Sequence, residues 1–143
     1  IDKEAVSLGG GKNHRIGLFD MFLIKDNHIE IAGSITNAVN ACRNFQQKRN
    51  SDFKIEVETK NLEEVKEALA CSVDIIMLDN FKTELMKKAV TLINGKCLVE
   101  ASGNITIDNV KEVAETGVDF ISVGALTHSV KALDISLEVE LKK

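Results

Sequence analysis

The 143-residue sequence predicts an α/β fold organised on a parallel sheet, an incomplete TIM-like β/α barrel. Two observations predict it. Short apolar runs alternate with amphipathic stretches along the chain, and that alternation implies right-handed crossovers between parallel strands. The residues closing those runs, Lys25, Glu58, Asp79, Ser102 and Gly124, recur at intervals of 33, 21, 23 and 22, as expected of one unit repeated about a common centre. A third observation concerns use. Each of the five is charged, hydroxylated or glycine, at the strand ends where barrels carry their chemistry.

Taken in order, residues 1–8 show a weak helical period that Gly9, Gly10 and Gly11 would end. Residues 22–25 form the first strand, and after a turn at Ala32 and Gly33 either Ser34 or Thr36 caps a helix with Ile35, Ala38, Val39, Cys42 and Phe45 on one face. Residues 54–59 alternate Ile55 and Val57 with Glu56 and Glu58, a strand pattern. Asn61 followed by Glu64 is a capping-box arrangement at the head of a helix through Leu62, Val65, Ala68 and Leu69. Residues 74–79 read DIIMLD, suited to a parallel strand covered on both faces. Thr83 is placed to cap a helix through Leu85, Met86, Ala89, Val90 and Ile93. Residues 97–100 form a strand running into Ala101, Ser102 and Gly103. Asp108 opens a helix with Val110, Val113 and Ala114 inward and Gly117 at its C-terminal cap. Residues 120–123 form a fifth strand and residues 134–139 a sixth. Six strands fall short of the eight of a full barrel. The chain begins on Ile-Asp-Lys-Glu-Ala-Val, which reads as the middle of a helix, so a fragment is expected whose missing strands lie upstream. Residues 1–143 read as one domain.

Composition narrows the function classes. The net charge of −4 argues against a nucleic-acid partner held by general basicity, and any anion site must be local. No apolar run reaches the roughly 18 residues of a membrane span. Cys42, Cys71 and Cys97 form no metal-type pair and are odd in number, which suits reduced thiols in a cytoplasmic protein and not a disulfide framework.

The chemistry concentrates at the strand ends. GGGKNHRIGLFDMFLIKDNH, residues 9–28, supplies His14, Arg15 and Lys25, a cation cluster suited to a dianionic or trianionic ligand; a solvated basic loop is the plainer alternative. Asn27 and His28 are read as structural. Glu58 and Asp79 end neighbouring strands, and two converging carboxylates suit Mg²⁺ shared with a substrate phosphate, although each could simply pair with a lysine. Ser102, Gly103 and Gly124 offer small side chains and free backbone N–H groups, as phosphate cradles do, and His128 lies just beyond.

The first motif resembles the core signature of quinolinate phosphoribosyltransferases, and KIEVE, IIMLDN, EASGNI, TGVDFISVGALTHS and LDISLEV follow in that family's order. The resemblance implies phosphoribosyl transfer from phosphoribosyl pyrophosphate to quinolinate with decarboxylation, giving nicotinate mononucleotide for NAD synthesis, in a cytoplasmic homodimer or higher homo-oligomer. It implies that His14, Arg15 and Lys25 hold the pyridine carboxylates. Lys25, Glu58 and Asp79 would be the catalytic residues, Glu58 and Asp79 the Mg²⁺ ligands, and Lys25, Glu58, Asp79, Ser102, Gly103, Gly124 and His128 the phosphoribosyl pyrophosphate site. Asn104, Thr59 and Ser72 depart from the family pattern: asparagine tolerates a left-handed backbone, so phosphate binding is expected to be kept at 104, and the other two are read as structural. The family's N-terminal domain and the barrel strand carrying Thr-Arg-Lys have no counterpart here. Two alternatives stand beside the enzyme: a catalytically silent anion-binding or oligomerisation domain, and a related nicotinate-type phosphoribosyltransferase.

Overall fold

The computed structural model describes residues 1–17 and 19–140. Five strands, β1 (Met21–Ile24), β2 (Lys54–Thr59), β3 (Ile75–Asp79), β4 (Leu98–Ser102) and β5 (Phe120–Ile121), form one parallel sheet in sequential order. A doubly wound sheet reverses its order at a switch point, whereas a barrel wall does not. Around the sheet lie α1 (Asp2–Leu8), α2 (Asp26–Ala32), α3 (Ile35–Arg49), α4 (Leu62–Ala70), α5 (Thr83–Ile93), α6 (Val110–Ala114) and α7 (Ala125–His128).

Successive strand residues point to opposite faces, and β2 shows the consequence. Ile55, Val57 and Thr59 face the helices. They join a core with Val39, Val65, Ile76, Leu78, Ala89 and Val99, all buried. Glu56 and Glu58 face the other way. Register carries this division across the sheet: Val57 pairs with Ile76 and Ile76 with Val99, while Glu58 pairs with Met77 and Met77 with Glu100. Asp79 is level with Ser102. Acids also tie the strand starts, since Asp74 Oδ2 accepts from Ile55 N and Asp119 Oδ2 from Val99 N, each at 2.8 Å. The same device at two places is the repeated unit seen at atomic detail.

Ser34 and Asn61 cap α3 and α4 as expected, accepting from Asn37 N at 3.0 Å and Glu64 N at 2.9 Å. Thr83 does not cap α5. It lies inside the first turn, after Lys82, and its hydroxyl donates to Glu112 Oε1 at 2.6 Å, tying α5 toward α6. The helix expected from Asp108 begins at Val110, because Asn109 Oδ1 first closes a turn onto Thr106 N at 2.8 Å.

Three further expectations are corrected. The turn after β1 holds a helix, α2, which opens with His28 Nδ1 accepting from Lys25 N at 2.9 Å and Asp26 Oδ1 from Asn27 N at 2.7 Å. Lys25 therefore sits one residue past β1 as the N-cap. The fifth strand stops at Ile121, since the chain turns at Val123 and Gly124 into α7. Residues 134–139 form no strand, so the described residues hold five strands and not six. Leu133, Ile135, Leu137 and Val139 alternate as a strand would but stand 82, 79, 89 and 76% exposed. A strand needs a neighbour's free N–H and C=O groups as well as a pattern, and among the described residues none pairs with this segment. No helix among the described residues is long and apolar enough to cross a membrane.

Candidate active site

A cleft of about 370 Å³ opens at the C-terminal ends of the strands, on the face that carries Glu58. His14, Lys25, Glu58, Asp79, Ser102 and Glu100 line it, so the first loop, β2, β3 and β4 all contribute. Lys25 Nζ stands 3.5 Å from Glu58 Oε2, and this pair lies across the β1–β2 edge with the lysine half-exposed. The geometry follows from the register, since residues one past Ile24 and Val57 end level with each other.

Asp79 is oriented by a short relay. Asn80 Nδ2 donates to Asp79 Oδ2 at 2.9 Å, and Asn104 Nδ2 donates to Asn80 Oδ1 at 2.8 Å. Asn104 adopts φ 52°, the left-handed conformation that asparagine tolerates, so its departure from the family pattern adds a hydrogen bond without breaking the turn. Gly103 beside it takes φ +91°, and a Cβ there would come within 2.3 Å of Asn80 Oδ1. Glycine is required at 103 for both reasons. Thr59, another departure, is buried on the core face and its hydroxyl donates to Met77 O at 2.9 Å. Ser72 is a left-handed residue at the end of α4, with φ 52°.

The remaining expected site residues are less convergent. Arg15 lines a second cavity of about 660 Å³, which lies toward the strand starts and shares His14, Glu100 and Ser122 with the cleft. Gly124 and His128 lie beyond β5 and pack on each other, since a Cβ on Gly124 would meet His128 Nε2 at 2.6 Å, while His128 Nδ1 lies 2.6 Å from Ser129 Oγ. Gly103, Gly124 and His128 do not line the cleft itself. Cys42, Cys71 and Cys97 are free, and burial pushes the Cys42 and Cys97 thiols up, away from nucleophile behaviour.

Sequence reasoning passed over Glu56, Glu100 and Ser122. His14 Nε2 lies 2.9 Å from Glu56 Oε2 and 3.7 Å from Glu100 Oε2, and Ser122 Oγ donates to Glu100 Oε1 at 2.6 Å. The bond to Glu56 holds the His14 imidazole above its usual value against the opposing effect of burial, and the charges of Glu56 and Glu100 add to the rise. Burial pushes the Glu100 carboxyl up, with the Ser122 hydroxyl opposing. The signal was present: Glu56 precedes Glu58 by two and so shares its face, and Glu100 stands in the same relation to Ser102.

The donor set offered to a cation by Glu58, Asp79 and Ser102 is all oxygen, at the edge of an open cleft. That chemistry fits a hard ion such as Mg²⁺ better than a softer metal.

Fold and site together define part of a β/α barrel, five parallel strands whose C-terminal ends carry a charged ligand cleft. The family profile described as quinolinate phosphoribosyl transferase, C-terminal domain, matches residues 1–138. The chain belongs to that family. It is 54% identical to a chloroplastic nicotinate-nucleotide pyrophosphorylase [carboxylating] of Oryza sativa, over 98% of this chain and 42% of the rice protein. It is 48% identical to a mitochondrial quinolinate phosphoribosyltransferase [decarboxylating] of Nicotiana tabacum, over 98% of this chain and 44% of that one. The solved nicotinate-nucleotide pyrophosphorylase of Francisella tularensis superposes with a TM-score of 0.89 at 49% identity, covering 96% of this chain and 48% of its own. The chain thus spans less than half the length of these relatives.

Proposed function

We propose that this chain supplies the phosphoribosyl-transfer site of a carboxylating nicotinate-nucleotide pyrophosphorylase. The reaction joins quinolinate to phosphoribosyl pyrophosphate and yields nicotinate mononucleotide, CO₂ and pyrophosphate, for NAD synthesis. One observation carries the reading: cationic His14 and Lys25, acidic Glu58 and Asp79, and the hydroxyl of Ser102 line a single cleft at the strand C-termini. A doubly charged pyridine and an activated sugar need those groups together.

The charges give the sequence of events. The ring nitrogen of quinolinate forms a bond to C1 of the sugar while the C1–O bond breaks and its electron pair leaves with pyrophosphate. Positive charge develops on the sugar as that bond lengthens, and Glu58 and Asp79 oppose it from the β2 and β3 ends. Lys25 exchanges part of its pairing with Glu58 for the incoming carboxylate or phosphate, acting as a compact point charge. His14 and Arg15 hold the pyridine carboxylates. The C2–carboxylate bond then breaks, the electron pair stays on C2 beside the cationic nitrogen, and C2 takes up a proton. Ser102, Gly103, Gly124 and His128 would hold the sugar and pyrophosphate phosphates. Mg²⁺ held by Glu58 and Asp79 would neutralise the departing pyrophosphate oxygens.

The reading extends to a homo-oligomer acting in the cytoplasm, tested by sedimentation and by fractionation. The functional test is calorimetric titration with quinolinate and with nicotinate. Binding of quinolinate at least about tenfold tighter than nicotinate supports the proposal, because the second carboxylate adds a charge-assisted contact. Equal affinity would favour a nicotinate-type enzyme, and no binding of either would favour the silent domain.

A further inference from the structure

The trio His14, Glu56 and Glu100 is not explained by a task of binding anions. Glu100 lines the cleft and Glu56 lies on the same sheet face beside it, where both disfavour a dianion, yet Glu56 is 0% and Glu100 3% exposed, so neither is shielded by water. Glu56 Oε1 has no hydrogen-bond partner among the described residues, and His14 Nε2 is the cationic group that Glu56 Oε2 meets, at 2.9 Å. Glu100 is anchored on its other oxygen by Ser122.

We propose that Glu56 and Glu100 are positioning residues, clamping the Nε2 edge of His14 so that the ring presents its Nδ1–H to an anionic group of the ligand. The two N–H directions of an imidazole diverge widely, so a ring whose Nε2 is directed at buried carboxylates must turn Nδ1 away from them. His14 lines both the cleft and the second cavity and is 32% exposed, so part of the ring opens on the ligand space. The groups bearing on the ring are Glu56 from β2, Glu100 from β4 and the adjacent Arg15, the last disfavouring its charge. The clamp thereby sets a protonated imidazole against the two buried carboxyls and leaves its second N–H for the ligand. The identity of the anion as a quinolinate carboxylate rests on the proposed function; the clamp itself does not.

The test separates the two. The chain has three histidines, so imidazole NMR resolves His14 from His28 and His128. In the unmodified chain the bond to Glu56 is expected to hold the His14 midpoint above its ordinary value. Glu56→Gln lowers that midpoint by about one unit or more, and Glu100→Gln by less, as the longer 3.7 Å separation requires. An unchanged His14 midpoint in both variants overturns the proposal. Should Glu56→Gln fail to fold, Glu100→Gln alone decides, a fall supporting the clamp and no change overturning it. In calorimetry Glu56→Gln weakens quinolinate about tenfold and leaves phosphoribosyl pyrophosphate nearly unaffected; equal loss of both ligands would contradict a role through His14. If quinolinate does not bind the unmodified chain, the proposed function fails while the His14 titration still judges the clamp. The three ligand atoms also lie within 4.8 Å of one another. Stoichiometric Zn²⁺ binding abolished by Glu56→Gln would make the trio a metal site and overturn the proposal.

Discussion

The two faces of β2 make the instructive comparison. Ile55, Val57 and Thr59 point to the helices and are buried among apolar neighbours, while Glu56 and Glu58 point to the cleft one residue away. Outward positions obey packing, where volume and shape decide the cost of change. Inward positions obey electrostatics and ligand geometry. One short strand thus carries both the stability of the fold and the chemistry of the site, and substitutions on the two faces are expected to fail in different assays.

The largest effect is expected on the inward face. Lys25→Ala abolishes turnover in the complete enzyme, a loss of at least about a hundredfold in kcat/KM, because no other lysine lines the cleft among the described residues. Steady-state kinetics with thermal melting checks this, and turnover within a few-fold of the parent would break the site assignment. On the outward face the prediction inverts. Ile76→Ala removes a side chain that is 0% exposed and lowers stability by about 2–5 kcal/mol in denaturant titration, while ligand affinity per folded molecule stays close to the parent's.

Arg15→Ala sharpens the comparison within the cation cluster. Quinolinate affinity should fall about tenfold and phosphoribosyl pyrophosphate affinity much less, measured by calorimetry. Equal losses would count against a pyridine-specific role for a residue that lines the neighbouring cavity and not the cleft.

The smallest effect is a pH dependence. The folded-state values of His14 and Glu100 are both raised, so each stabilises the fold fully below its unfolded value and loses that contribution as pH rises through its folded value. Stability should decline as pH climbs from 4.5 through the raised Glu100 value, and again above 6.5 as His14 loses its proton. His14 is about one-third exposed, so its share after solvent screening is under about 1 kcal/mol. Melting curves of His14→Asn should lose the upper part of the decline and keep the lower.

Much of the outward face was legible, because period and cap chemistry are local. Ser34, Asn61 and the IIML run carry their own instructions, and the strand intervals pointed to sequential parallel order. α2 was missed since Asp26, Asn27 and His28 look like turn residues until His28 is seen closing onto Lys25 N. The 134–139 segment misled for the opposite reason: its alternation is genuine, but pairing depends on a neighbour that no local pattern encodes. At the site, Lys25, Glu58, Asp79 and Ser102 were legible as strand ends. Glu56 and Glu100 were not, because their meaning comes from His14, 42 residues from Glu56 along the chain. Gly124 and His128 were read as phosphate ligands, and the structure places them against each other and outside the cleft lining.

The central claim is that Glu58 and Asp79 act together with a hard cation at one rim. Calorimetric titration of phosphoribosyl pyrophosphate, with and without Mg²⁺, into the parent chain and into Glu58→Gln and Asp79→Asn tests it most directly. The account predicts Mg²⁺-dependent binding in the parent that either substitution weakens by about tenfold or more. Binding of equal strength in all three proteins, with or without the metal, would contradict it.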